Sequence, residues 1–382
     1  MVTVVALLAL FGLGSCFALL GSISVKLIPR LGIDSGKFGS LISSFFFSAV
    51  IASLIVGVLL DSIGFGPVAI AGFVLVTLVI FLLARGKTYG AVMGAAVLLG
   101  FAAMALNTAG NTMAPIVLFG GENPAAASNL GNVFFGLGLF LTPLVTSYLF
   151  RRTTYENSVS ALAILMLVGA ILALFADYPE TTGGFSLGQA VSLLAEPAVL
   201  VAAFVLFAYM SLETSFSNWL PPYGKDVIKS AGSTMTEDEA DASAARLLTY
   251  FAVGMMAGRL ISSQIPGLTE IGDWFIAGAA AISLLIIIGM IATKSLTMSR
   301  VFAALGGLFF APIFPTTVGV TFSKFTPEIY GSVFGIIFAV GLFGAVIIPK
   351  AIGNMARGSS VQKSLRLLIP MAAILIILAI LL

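Results

Sequence analysis

The chain is a succession of long apolar runs, each about 20 residues or more, parted by short polar connections. A run of that length is what an α-helix needs to cross the hydrocarbon of a bilayer. Of 382 residues, 59% are hydrophobic and only 9% are charged, whereas a soluble domain carries about 25% charged residues. Too few polar side chains remain to clothe a water-soluble surface. The runs are continuous and do not alternate at every second residue, which excludes a transmembrane β-barrel. The expected spans are 3–24, 38–60, 67–84, 90–118, 129–149, 159–176, 197–221, 246–266, 274–292, 301–323, 330–350 and 365–382. They leave no room for a soluble domain. The chain is apolar from Val2 and lacks a basic stretch before the first run, so that run reads as a permanent span and not as a signal peptide.

The expected fold class is an all-α membrane protein of about twelve transmembrane helices in two pseudo-symmetric six-helix bundles. Two wide gaps, 177–196 and 222–245, organise it. The first divides six spans from six: an N-terminal bundle over 1–176, a linker over 177–196 and a C-terminal bundle over 197–382. Within the linker Phe185–Glu196 has helical periodicity and suits a helix lying along the membrane surface. The second gap, with Glu237, Asp238, Glu239 and Asp241, reads as a solvated loop with a short helix. Span five carries Gly131-Asn132-Val133-Phe134, then Gly138-Leu139-Phe140 and Pro143. Span eleven carries Gly331-Ser332-Val333-Phe334, then Gly341-Leu342-Phe343 and Pro349. The conserved order of these elements within one chain favours an internal duplication.

The informative residues are the polar ones that hydrocarbon should have excluded. A charge at mid-bilayer costs roughly 2.5–3.5 kcal/mol on insertion scales. Glu213 lies well inside span seven with no basic residue near it in sequence. It either pairs with another helix or lines a wet cavity and takes up a proton or cation; the plainer alternative is a structural hydrogen bond. Asn107 and Asn111, four apart in span four, share a helical face, Asn129 and Asn132 open span five, and Ser217, Asn218 and Trp219 follow Glu213. Amides that both donate and accept, beside a flat indole, suit a neutral sugar, although Asn and Ser also serve as glue between membrane helices. Prolines within spans free backbone carbonyls and create kinks.

Several chemistries are excluded. The chain has no histidine, so histidine metal sites and histidine acid–base catalysis are absent, and one cysteine, Cys16, allows no internal disulfide. No basic run points to nucleic acid, and no phosphate-binding loop of the G-x-x-x-x-G-K-[ST] type occurs, which argues against transport driven by ATP on this chain.

Between spans two and three Gly57-Val-Leu-Leu-Asp61-Ser-Ile-Gly64 resembles the G-x-x-x-D-R-x-G loop of the major facilitator superfamily. There the aspartate acts as a gate, interacting with helix ends and a basic partner in one conformation only. Gly254-Met-Met-Ala-Gly258-Arg259 looks like the corresponding end of span eight, with Arg259 as a gate charge; snorkelling to the interface is the plainer alternative. Tyr209, Glu213, Trp219 and Tyr223 are spaced like the Y-x-x-x-E…W…Y run of the fucose/glucose/galactose symporter branch. Phe314-Pro315-Thr316 resembles its F-P-T segment, and Asn107 with Asn111 its asparagine-bearing fourth span. The fucose member uses acidic residues in spans one and four. Both spans lack a carboxylate here, which leaves Glu213 as the candidate.

The resemblance implies a secondary active transporter of the major facilitator fold, located in the plasma (inner) membrane and working as a monomer in the lipid bilayer. It would carry a small polar solute, a hexose above all, coupled to H+ or Na+. Asn107, Asn111, Asn132, Asn218 and Trp219 would bind substrate, Glu213 the coupling ion, and Asp61 and Arg259 would gate; no metal, cofactor or nucleic acid is expected. An exporter or carrier of an amphipathic compound is the alternative, and an intramembrane enzyme a remote one, because Glu213 is the only carboxylate deep within an expected span. The Lys and Arg residues concentrate in odd-to-even connections, leaving Arg259 and Lys324 on the other side. The positive-inside rule then puts both termini outside, while the resemblance puts both inside.

Overall fold

Hydrocarbon offers backbone groups no hydrogen-bonding partner, so a spanning segment must satisfy them within itself, as a helix does. The computed structural model describes residues 1–180, 187–232 and 234–382, which are helical apart from their connections, with no strand among them. The helices are α1 Val2–Leu31, α2 Ser35–Ile63, α3 Phe65–Arg85, α4 Tyr89–Val117, α5 Pro124–Phe150, α6 Tyr155–Leu174, α7 Leu187–Ser192, α8 Pro197–Ser230, α9 Glu237–Ser262, α10 Gly272–Ala292, α11 Leu296–Phe310, α12 Ile313–Phe322, α13 Tyr330–Ala356, α14 Val361–Ser364 and α15 Leu368–Ile380. Among the described residues, 12 segments are long and apolar enough to cross a membrane. They are α1 to α6, then α8, α9 and α10, the broken pair α11–α12 as span ten, α13 as span eleven, and α14 with α15 as span twelve.

Polar residues set the ends of these helices. Asp34, Thr88, Thr154, Ser295 and Ser360 each stand before a helix, and their side chains accept a backbone N–H of its first turn, as N-caps do.

Two features differ from the sequence reading. The gap at 222–245 is largely helix: α8 runs on to Ser230 and α9 already begins at Glu237. Thr236 and Glu239 form a capping box there, and Glu237, Asp238 and Glu239 occupy the first turn, where the helix dipole favours negative charge. The acidic run is therefore a helix start, and T-x-x-E was its signature. In the linker, α7 covers Leu187–Ser192 and a 3-10 turn follows over Leu193–Ala195; Phe185 and Ser186 of the expected surface helix lie outside the described residues.

The chain forms two compact units. The first holds Met1–Glu122, Gly131–Leu194 and Phe325–Ile336; the second holds Asn123–Leu130, Ala195–Lys324 and Ile337–Leu382. Each unit thus includes the opening turns of a helix whose remainder belongs to the other. In the first unit α2 meets the start of α13 backbone to backbone. A Cβ at Gly57 would strike the Gly331 carbonyl, and one at Gly331 would strike that of Gly57. Only glycine permits that approach.

Replacing Thr236 by Ala removes the capping box and is expected to weaken the start of α9 by about 1 kcal/mol. Hydrogen exchange over residues 237–241 should then speed up roughly fivefold. Unchanged exchange would show that the acidic turn holds without its cap.

Candidate functional site

Asp61, in the last turn of α2, is buried in the first unit at 2% exposure. Its Oδ1 accepts the Gly331 N–H at 2.8 Å and its Oδ2 the Ser332 N–H at 2.7 Å. The first N–H groups of a helix have no partner within it and carry the positive end of its dipole. A carboxylate with both oxygens engaged there makes two charge-assisted hydrogen bonds. The glycine contact between α2 and α13 brings the carboxylate within reach.

The same unit joins three candidate amides. Asn132 Nδ2 donates to Asn111 Oδ1 at 3.1 Å, and Asn111 Nδ2 donates to Asn107 Oδ1 at 2.8 Å. Asn107 Nδ2 reaches only a thioether, Met104 Sδ, at 3.5 Å, and sulfur is a weak acceptor. All three amides are buried, and the neighbouring Thr108 hydroxyl, also buried, has no hydrogen-bond partner. The relay crosses from α5 to α4 and ends on the weak sulfur acceptor of Met104.

The second unit holds the other candidates. Glu213 on α8 pairs with Arg259, in the last turn of α9, at 3.8 Å from Oε1 to Nη2. The guanidinium is buried, and Glu213 keeps 27% of its side chain exposed. Arg259 does not snorkel: its Nε also donates to the Ala311 carbonyl at 3.4 Å. Tyr209, one helical turn before Glu213, is buried; both charges act on its hydroxyl, which has no hydrogen bond of ordinary geometry. Trp219 spends its indole N–H on the Pro349 carbonyl at 3.1 Å, and Asn218 is exposed. These two are therefore not drawn into a polar cluster as the asparagines of the first unit are.

A further cluster in the second unit joins Asn129 and Thr316 with Asn123 and Thr269, the last two of which were not singled out from the sequence. Ala125 N–H, in the first turn of α5, donates to Thr269 Oγ1 at 3.0 Å. The Thr269 hydroxyl donates to Asn123 Oδ1 at 2.8 Å, and Asn123 Nδ2 donates to the Ile265 carbonyl at 3.1 Å. Asn129 Nδ2 donates to Thr316 Oγ1 at 2.9 Å. Asn123-Pro124 carried a local signal, an N-cap residue before proline at the first helical position. Nothing local announces Thr269 as its partner. The start of α5 is thus held by neutral groups from the α9–α10 connection, as the start of α13 is held by the Asp61 carboxylate.

Among the described residues no group of three or more His, Cys, Asp or Glu side chains is placed to hold a metal ion. The arrangement offers paired and unpaired hydrogen-bonding groups and one half-open carboxylate, which is the equipment of recognition and ion binding.

The sequence profile of the Major Facilitator Superfamily matches residues 3–349. The solved structure of FucP, a major facilitator superfamily transporter in its outward conformation, is similar with a TM-score of 0.78 and 16% identity over 99% of each chain. A single-residue variant of the E. coli fucose:proton symporter FucP is similar at 0.77 and 17% identity, over 99% of this chain and 98% of that one. No curated protein matches the sequence.

Replacing Asp61 by Asn sets an NH2 group against one of the two helix N–H groups and removes the charge. It is expected to weaken the hold on α13 by about 2 kcal/mol. Hydrogen exchange over residues 325–336 should rise roughly 30-fold, and exchange equal to that of the unaltered protein would mean that the glycine contact alone fixes the helix start.

Proposed function

Because the chain belongs to the Major Facilitator Superfamily, we propose that it is a secondary active transporter coupling a small polar solute, a hexose above all, to H+ or Na+. The coarse statement follows from the family: this is an integral multi-pass membrane protein that transports a small molecule. The finer reading rests on one observation, the half-exposed Glu213 carboxylate facing Arg259 inside the second unit. A carboxylate kept among apolar spans binds a proton or a cation more readily than it does anything else.

In this reading the bundles 1–176 and 197–382, joined by the linker 177–196, rock about the solute and expose it to each side in turn. Asn107, Asn111 and Asn132 supply donors and acceptors to its hydroxyls. The Asn107 amide, whose donor meets a thioether, is what such a ligand would take up, because a hydroxyl oxygen is a stronger acceptor than sulfur. Asn218 and Trp219 would contribute from span seven, the indole through its ring, since its N–H is engaged. Asp61 and Arg259 act as gate residues. The two anchored helix starts, α13 on Asp61 and α5 on Thr269, are contacts that a rocking cycle has to break and remake. The protein works as a monomer in the plasma membrane. FucP of E. coli is a fucose:proton symporter, which makes fucose and the common hexoses the first compounds to test.

Uptake of a labelled sugar panel into proteoliposomes, with sodium and pH gradients imposed separately, tests this. Concentrative uptake of one sugar under one gradient is expected, with Glu213→Gln losing accumulation at least tenfold. Full accumulation by Glu213→Gln would remove its coupling role. An absence of uptake of every sugar by folded protein would overturn the hexose assignment and leave the family membership untouched.

A further inference from the structure

Span ten contains a carbonyl that its own helix cannot satisfy. In an α-helix the Ala311 carbonyl accepts the N–H four residues on. Residue 315 is a proline and has none. The helix breaks there, α11 ending at Phe310 and α12 starting at Ile313. Arg259 replaces the missing donor, its Nε reaching Ala311 O at 3.4 Å, while its Nη2 stands 3.8 Å from Glu213 Oε1. One buried guanidinium therefore links a carboxylate of span seven to the carbonyl freed by Pro315 in span ten.

The helices around this link differ in how tightly they are joined. α9 and α11 touch through backbone: a Cβ on Gly258 would strike the Leu308 carbonyl, and one on Gly307 the Phe251 carbonyl. They hold Arg259 and the break as one block. Glu213 belongs to α8, which comes close to the α9 backbone at Gly224 but beside Glu213 meets that block through side chains, Phe216 packing on Phe251 and Phe310 with ring centroids 5.3 Å and 5.0 Å away.

We propose that Arg259 is a positioning residue that conveys the charge state of Glu213 to the break in span ten. The inference rests on the reading of Glu213 as the ion-coupling residue. With Glu213 ionised, the guanidinium is shared between the carboxylate and the Ala311 carbonyl. When a proton or sodium ion neutralises Glu213, the negative charge facing Arg259 is gone. A buried cation needs the strongest acceptor within reach, and the carbonyl without a helical donor is adjacent. Arg259 then settles on Ala311 and holds the Phe314-Pro315-Thr316 segment more firmly in the loaded state than in the empty one.

Few other charges intrude. Tyr209 on α8 and Arg259 on α9 face Glu213. Lys350 of α13 lies next to Pro349, at the level of Trp219, roughly 9 Å further along α8 at 1.5 Å per residue. Lys225 and Asp226 on α8, Arg246 on α9 and Arg300 on α11 are roughly 16 Å or more along their helices from this link by the same rise. Asp273 of α10 follows Gly272, which packs on Thr316 and Val320, and its carboxylate accepts the Trp274 N–H; α12 and α15 carry no charge.

Two readouts test the link. The first needs no substrate: thermal midpoints of Arg259→Gln, Pro315→Ala and the double variant in detergent. Alanine at 315 restores an N–H to Ala311, so Arg259→Gln should lower the midpoint in that background by less than half of what it does alone. Equal drops would overturn the link. If Pro315→Ala does not fold, the same cycle with Glu213→Gln replaces it, and strict additivity there is the contrary result. The second readout is the pH profile of gradient-driven uptake. Arg259→Gln should flatten it at least fivefold, with partial recovery in Arg259→Lys. A profile of unchanged shape, scaled down equally at every pH, would mean that Arg259 only supports the fold. Should the unaltered protein accumulate no sugar, the transport reading fails by itself, and the midpoints still decide whether Arg259 serves the Pro315 carbonyl.

Discussion

The bilayer withholds water as a hydrogen-bonding partner, and the arrangement of polar groups in this protein answers that constraint. Most hydroxyls in the spans satisfy themselves locally. Ser15, Thr77, Thr112, Thr142 and Thr146 each donate to the carbonyl four residues back on their own helix and ask nothing of a neighbour. A minority reach another element: Asp61 to the start of α13, Asn132 to Asn111, Asn129 to Thr316, and Arg259 to Glu213 and Ala311. Those bonds tie spans together, and any movement of one span against another has to exchange them. The residues with a claim on function are therefore the ones whose polar atoms look outward from their own helix.

This distinction explains what could be read in advance. The twelve spans were legible because length and hydropathy alone settle whether a segment can live in hydrocarbon. Glu213 and the Asn107–Asn111 face stood out because hydrocarbon penalises them wherever their partners lie, and Asp61 because it stands in a loop motif between two spans. The partners were not legible. Arg259 sits on a different helix from Glu213, and nothing in span eight says which carboxylate its guanidinium meets. The proline rule announced freed carbonyls within the spans but not the donor that reaches the one at Ala311. Trp219 shows the reverse: its composition suggested a sugar platform, yet its indole N–H serves the backbone of α13. The acidic run at 237–241 was legible by a capping signature that a reading for hydropathy alone passes over.

The uneven distribution of basic residues has local physical uses. Arg30 bridges to Glu156 and lies over the Tyr155 ring, Arg152 lies over Tyr148, and Lys225 pairs with Asp241. Such residues fasten the helix ends that protrude from the hydrocarbon; α8, with 34 residues, is about 50 Å long against a core of about 30 Å. A count of charges by loop mixes these fasteners with the residues that set orientation. The two anchored helix starts also differ in kind, a charged carboxylate at α13 and a neutral Thr–Asn pair at α5, so only the first responds to charge.

The central claim is that two bundles move against each other around a bound solute. Spin-label distances test it most directly, in a Cys16→Ser background with one label pair at Lys87 and Lys294 and another at Glu122 and Gln264, all exposed. The first pair lies in the connections after spans three and nine and the second in those after spans four and eight, which puts the two pairs on opposite faces when every span crosses the bilayer. Alternating access predicts that solute or a coupling gradient lengthens one distance while shortening the other. Distributions that stay unchanged in both pairs, in protein shown to bind its solute, would contradict it.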